Sequence, residues 1–246
     1  MSELAQKSLT ILNLFGHEMS SFGDAGNLLV LRKRCEWRGI SVEQIDFEAG
    51  SEVAPCKGAH LILGGGASES GLAQVREDFL RITPLLRSLV ETGVPALAVS
   101  TSFQLFGEYL ETSDGEHFEG AGIFSLHTLG ASERQTGNIV TLCSDFGELI
   151  GYENHSGKTY LHKGQEPFTR VLSGFGNNGE DGTEGARFRN ALGTYLHGPL
   201  LPKNPHVADF LIAKALEQRY GEPVELVPLP DQWLSQARAA AKARPR

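Results

Sequence analysis

Cysteine is scarce in this sequence and poorly spaced for chemistry: Cys35, Cys56 and Cys143 are odd in number, far apart, and form no C-x-x-C pair. That excludes a disulfide framework or a zinc site as the organising device and leaves buried or incidental thiols in a reducing compartment. Excess positive charge is also missing. With 22 Lys and Arg against 30 Asp and Glu the formal charge is -8 and the pI is near 5.5, so no basic footprint exists for nucleic acid or an anionic membrane. No stretch approaches the roughly 18 consecutive apolar residues that a membrane span needs, and residues 1–8 are polar and charged, unlike a signal peptide. These absences describe a cytoplasmic protein, with no nucleic-acid binding and no membrane insertion, whose partner is a small polar molecule or another protein.

What is present is a chain of 246 residues, 40% hydrophobic, long enough for one large α/β domain with a substantial core. Residues 9–15 form a short apolar strand followed by a Gly/Ser/Asp loop, and the spacing then predicts a helix over 26–37 closed by Gly39. Residues 40–47 alternate like a strand, 59–63 run apolar into Gly64-Gly65-Gly66, 72–92 carry apolar residues at helical spacing, and 95–99 form the next buried strand. Strands alternating with helices imply a mostly parallel sheet with helices on both faces, whose ligands collect at the carboxyl ends of the strands. Beyond Gly107 the pattern shortens into strand-like pieces at 123–129, 137–143 and 191–196, with late helices at 205–220 and 231–241. The polar, glycine-rich segment 174–185 reads as an exposed loop, and 242–246 as a basic tail.

Two places could carry chemistry. The run Pro95-Ala96-Leu97-Ala98-Val99-Ser100-Thr101 reads as strand, sharp turn, helix. Such a turn lifts a nucleophile off the sheet with backbone N–H groups beside it to hold developing negative charge. The serine-hydrolase elbow has glycine on both sides, whereas Ala98 and Ser102 stand here, so the local pattern suits a helix-capping serine better than a nucleophile. The second place is His197, just past a short apolar strand in Tyr195-Leu196-His197-Gly198-Pro199, where a general base can be presented, although a lone histidine at a strand end is more often a hydrogen-bonded structural residue. Two nucleotide motifs fail on context. Gly174-Phe175-Gly176-Asn177-Asn178-Gly179 is followed by loop rather than helix, and Gly157-Lys158-Thr159 lacks the first glycine of a phosphate loop, because Tyr152 stands there.

Taken together, Phe22-Gly23-Asp24-Ala25-Gly26-Asn27, the triple glycine, Ser100 with Gln104, Gly151-Tyr152-Glu153-Asn154-His155 and Tyr195-Leu196-His197-Gly198-Pro199 occur in an order that resembles one family. It is the GatD family of class I, cobyric-acid-synthase-like glutamine amidotransferases, and the resemblance spans residues 9–220, leaving 221–246 as a helical extension with a basic tail. It implies a Rossmann/flavodoxin-like α/β fold and a glutaminase that supplies ammonia to a MurT-like Mur ligase. In that heterodimer the partner holds ATP and magnesium and amidates the D-glutamate of lipid-linked peptidoglycan precursor, and this chain needs no cofactor or metal. It further implies nucleophile position Ser100, general base His197, oxyanion donors Gly65 and Thr101, and glutamine binding by Arg134 with Gln104. Glu153, Asn154 and His155 either border the same pocket or stabilise a turn.

Two departures qualify what the resemblance implies. The family has cysteine where Ser100 stands, and a thiolate forms near neutral pH far more readily than an alkoxide, so the Ser100 form is expected to be impaired or inactive. Either the chain is a natural pseudoenzyme or it carries a Cys→Ser substitution that holds glutamine without turnover; the retained His197, Arg134 and Gln104 favour the second. Pro199 occupies the place where many class I enzymes carry a carboxylate, which implies a dyad or a carboxylate from the partner. The alternatives are a non-catalytic glutamine-binding or regulatory subunit, and a serine hydrolase working directly through Ser100 and His197.

Overall fold

The computed structural model describes residues 6–20 and 23–243. Phe22 of the first quoted motif, most of the N-terminal segment and residues 244–246 of the basic tail lie outside the described residues.

The first layer is a six-stranded sheet of β1 (Ser8–Leu14), β2 (Ser41–Phe47), β3 (Leu61–Gly64), β4 (Ala96–Val99) and, from the far end of the chain, β11 (Ala186–Phe188) and β12 (Ala191–Thr194). Its order is β11-β12-β4-β3-β1-β2, every pairing parallel except β11 with β12. The central strands read as unbroken apolar runs because both faces are covered. Leu12, Ile62, Ala96 and Ala98 pack on one side against Val75, Phe79, Ile82 and Leu86 of α2 (Glu69–Glu91). Leu9, Ile11, Leu61, Leu63 and Leu97 point to the other side, against α1 (Ala25–Glu36) and α5 (Pro205–Tyr220). This is the alternation that a strand's two-residue period demands, and it gives the helix-covered parallel sheet expected from the sequence.

The second layer was not anticipated as a unit. Strands β5 (Tyr109–Glu111), β6 (His117–Glu119), β7 (Leu126–Cys143), β8 (Gly147–Leu161), β9 (Thr169–Ser173) and β10 (Thr183–Glu184) form a mostly antiparallel sheet dominated by the long β7–β8 hairpin. The two expected pieces at 123–129 and 137–143 are one strand. Its polar middle hides the continuity, and the register shifts there, between Gly130 and Gln135, as a bulge requires.

The expected exposed loop at 174–185 needs a larger correction: Asn177, Asn178, Thr183 and Glu184 are buried. Their side chains satisfy the segment's own backbone, with the Asn177 amide donating to Gly185 O at 3.0 Å and accepting the Gly185 N–H at 2.7 Å, so polarity here marks internal hydrogen bonding rather than exposure.

Short α3 (Thr101–Leu105) and α4 (Leu200–Lys203) follow the two strand ends that carry Ser100 and precede His197, and α6 (Gln232–Lys242) closes the chain. Helix α6 buries none of its residues. Polar ties hold it instead: Arg34 to Asp231 at 2.9 Å and Arg238 to Glu148 O at 2.7 Å. Among the described residues no helix is long and apolar enough to cross a membrane.

Candidate active site

Ser100 sits where β4 turns into α3, with φ 56° and ψ -115°, a region that a side chain with a Cβ rarely occupies and that costs about 1–3 kcal/mol. The strain is held by neighbours: its N–H donates to Thr194 O of β12 at 2.9 Å and its carbonyl accepts the Gln104 N–H at 3.0 Å. The glycines missing from the local elbow pattern are supplied across the sheet. A Cβ on Gly64 of β3 would lie 2.8 Å from the Ser102 Cβ, so glycine on the adjacent strand, rather than at position 102, makes room for the turn.

The glycine loop is laced to the same turn. Gly65 O accepts the Ser102 N–H at 3.1 Å and the Ser102 hydroxyl at 2.8 Å, while Ala67 N–H donates to the Thr101 hydroxyl oxygen at 3.0 Å. The glycine loop and the Ser100 turn are therefore tied together by these three hydrogen bonds.

A cavity of about 640 Å³ opens here, walled by Ser100, Thr101 and Gln104 from the first sheet's side and by Arg134, Asn154 and His155 from the β7–β8 hairpin. Among the described lining residues only Arg134 carries a charge. Its guanidinium donates to Asn154 Oδ1 at 3.0 Å, which steers a forked donor suited to a carboxylate. Gln104 lines the wall, but its amide nitrogen donates to the Tyr195 hydroxyl at 2.9 Å.

His155 is buried flat against Tyr195, ring centroids 3.6 Å apart. Its Nδ1 lies 2.8 Å from Gly157 O; a carbonyl only accepts, so Nδ1 carries the proton. Burial, then the field of Arg134, lower its pKa to about 4 against the pull of the Gly157 carbonyl. Glu153 does not line the cavity: its carboxylate accepts the N–H groups of Phe175 at 2.9 Å and Gly176 at 3.0 Å, the turn-stabilising alternative.

His197 is also absent from the cavity wall and is buried. Its backbone is gripped by β8, with reciprocal bonds to Tyr152 of 2.8 and 3.3 Å, so the second sheet helps set the position of the histidine that the first sheet delivers. Burial above all, then the positive fields of His155, Lys203 and Arg134, lower its pKa to about 3. The imidazole is thus neutral at any working pH, able to accept a proton but weakly basic.

Three residues that sequence reading passed over tie these parts together. The Tyr195 hydroxyl bonds Thr159 at 2.6 Å as well as Gln104, joining α3 to β8. Glu184 accepts the Tyr195 N–H at 2.7 Å and the Thr194 hydroxyl at 2.9 Å, and Asp24 accepts the Gly66 N–H at 2.9 Å. Tyr195 and Asp24 lay inside quoted motifs; Glu184 lay in the segment read as an exposed loop and carried no usable signal.

Comparison with known proteins identifies the family and the fold. Residues 10–205 match the model of the CobB/CobQ-like glutamine amidotransferase domain. The lipid II isoglutaminyl synthase (glutamine-hydrolyzing) subunit GatD of Staphylococcus aureus is 36% identical over 88% of this chain and 88% of its own, and that of Streptococcus pneumoniae 32% over 93% and 88%. A cobyric acid synthase of Thermodesulfovibrio yellowstonii is 28% identical over 78% of this chain but only 40% of its own length. Among solved structures, a glutamine amidotransferase superposes with TM-score 0.59 at 12% identity, covering 83% of this chain and 98% of its own. Another, from Thermotoga maritima, gives 0.53 at 13%, covering 95% and 93%.

Proposed function

Because this chain belongs to the CobB/CobQ-like glutamine amidotransferase family, we propose that it is the glutaminase subunit of a lipid II isoglutaminyl synthase, acting with a MurT-like ligase. The observation that carries the reading is the cavity: a strained residue 100 at a strand-to-helix turn shares it with Arg134, which alone among the described lining residues carries a charge.

In this reading the α-carboxylate of glutamine is held by Arg134, which places the side-chain amide at residue 100. A cysteine there attacks the amide carbon, and the new C–S bond puts negative charge on oxygen. The N–H groups of Thr101 and Gly65 hold that charge. Ammonia leaves with a proton relayed by His197, and water cleaves the thioester to glutamate. The ammonia serves the partner, where ATP and magnesium are handled, and the pair works in the cytoplasm on a lipid-linked acceptor. Pro199 in the carboxylate's usual place supports a carboxylate supplied by that partner.

With serine at position 100 the attacking group is an alcohol, whose proton is far harder to remove, so this form holds glutamine and turns it over poorly or not at all. That residue also favours a second reading, a glutamine-binding regulatory subunit without chemistry. Glutamate release by the Ser100 and Ser100→Cys proteins, each with and without a Mur-ligase-like partner, separates the two. Activity restored by cysteine establishes the glutaminase, and silence with both residues, despite glutamine binding by calorimetry, establishes the regulatory subunit.

A further inference from the structure

The motif Gly23-Asp24-Ala25-Gly26-Asn27 takes no part in the chemistry proposed above, yet its two polar side chains are buried. Asp24 is 3% exposed and Asn27 0%. Asp24 stands before α1 but gives that helix no side-chain cap. Its Oδ2 crosses instead to the glycine loop and accepts the Gly66 N–H at 2.9 Å. The carbonyl of the same peptide unit, Gly65 O, is held by the N–H and hydroxyl of Ser102. One peptide plane is therefore gripped at both ends, by Asp24 on one side and the nucleophile turn on the other. The packing is equally close, since a Cβ on Gly65 would lie 2.8 Å from the Asp24 Cβ.

Two residues further on, the same turn reaches the other half of the site. A Cβ on Gly26 would lie 2.6 Å from the Pro199 Cγ, and Asn27 Oδ1 accepts the Leu201 N–H at 2.9 Å. These are the residues that leave His197. A stretch of four residues thus touches the loop beside Ser100 and the segment beside His197, which arrive on β3 and β12 with β4 between them.

We propose that Asp24 and Asn27 are positioning residues, a single clamp that fixes the Gly65–Gly66 peptide against Ser100 and the 199–201 segment behind His197, so that loosening either grip disturbs both. The catalytic part of this inference rests on the glutaminase reading; the mechanical part does not. Among the described residues the second Asp24 carboxylate oxygen has no hydrogen-bond partner, and burial raises the pKa to about 6 against the Gly66 bond. Asparagine in its place keeps an acceptor for Gly66 without the charge.

The test begins with amide exchange on the Ser100 chain as it stands. Asp24→Ala is expected to speed exchange at 198–201 as well as at 64–67, and Asn27→Ala to speed it at 64–67 as well as at 198–201. Effects confined to each variant's own side overturn the clamp. In the Ser100→Cys protein with its ligase, Asp24→Ala is then expected to lower kcat by about tenfold or more with KM little changed, because misplaced groups cost transition-state rather than ground-state binding. Asp24→Asn restores most of kcat, and the double variant with Asn27→Ala loses less than the product of the two single losses. Unchanged kcat in Asp24→Ala, or equal losses in Asp24→Asn and Asp24→Ala, refutes the positioning role. A Ser100→Cys protein that is silent with Asp24 intact counts against the glutaminase reading, and the exchange result decides the clamp independently.

Discussion

Replacing Glu184 with glutamine is expected to leave stability at and below pH 4.5 almost unchanged and to raise it at pH 8. Glu184 is 0% exposed, with Oε1 accepting the Tyr195 N–H and Thr194 hydroxyl and Oε2 the Thr169 hydroxyl at 3.3 Å. Burial outweighs these three bonds, which favour the charged form, and raises the pKa from 4.5 to about 7, with the neighbouring Glu153 charge adding to the rise. A raised folded-state pKa means that between those limits the native protein keeps a proton the unfolded chain has already released. Stability is therefore greatest below the unfolded value and is lost as pH climbs through the folded one. At about 1.4 kcal/mol per pH unit the loss amounts to roughly 3 kcal/mol. Glutamine keeps the shape, leaves a carbonyl for the Tyr195 N–H, and lets the Thr169 hydroxyl turn to accept from the new amide, while nothing ionises.

Urea unfolding of both proteins from pH 4.5 to 8.5 measures this. Subtracting the curves cancels the titration of Asp24 and Glu48, whose pKa values burial also raises. The midpoint difference is expected to open from near zero to about 1 M, given slopes of about 2–3 kcal/mol per molar urea for a chain of this size. Curves that run parallel at all pH values would show that Glu184 keeps one charge state throughout, and the reasoning from burial would fail.

Arg134→Ala should weaken glutamine binding to the Ser100 protein about tenfold or more, as expected for losing a charge-assisted pair; unchanged affinity by calorimetry would place the carboxylate elsewhere. Gly193→Ala puts a methyl 2.7 Å from the Phe124 ring and should cost about 1–3 kcal/mol by overpacking, read as a lower Tm. Arg34→Ala removes the partner of Asp209 and Asp231; because both carboxylates keep access to water, about 1–3 kcal/mol is expected, with faster proteolysis at 221–243 as α6 loses an anchor. His155 and His197, lowered from 6.5 to about 4 and about 3 chiefly by burial, act opposite in sign to Glu184. Below pH 6.5 the unfolded chain takes up protons that these rings refuse, so stability falls with pH, and His197→Gln should show a shallower acid limb in the same titration.

The parallel sheet was legible because its physics is local. Buried strands such as Leu61–Gly64 and Ala96–Val99 can only be unbroken apolar runs, and α2 announces its buried stripe at helical spacing. The Ser100 turn was half legible. Strand, turn and helix stood in the sequence, but the space the turn needs comes from Gly64, 38 residues from Ser102 in sequence and adjacent only once β3 and β4 pair. Arg134 and His155 became neighbours of Ser100 only through the β7–β8 hairpin, whose bulged middle breaks the alternation that pattern reading follows. Buried polar residues were the least legible, since Asp24, Asn27 and Glu184 look on the page like surface residues and reveal their role only through the partners the fold brings to them.

That distribution bears on where this site gets its rigidity. The turn after β4 holds Ser100 in a conformation that costs about 1–3 kcal/mol, and neither flanking residue, Ala98 or Ser102, relieves it. It persists because Thr194 O takes its N–H, Ser102 is fastened to Gly65, and the Tyr195 hydroxyl bonds Gln104 from the opposite end of α3. Thr194 and Tyr195 are in turn held by Glu184, and the Gly65–Gly66 peptide by Asp24. Both anchoring groups are buried carboxylates, expensive to bury and replaceable by neutral acceptors if stability alone mattered. Their common position, one layer behind the two segments that deliver residues 100 and 197, is what the proposed site needs if those groups are to be held in a geometry that their own local sequence does not favour.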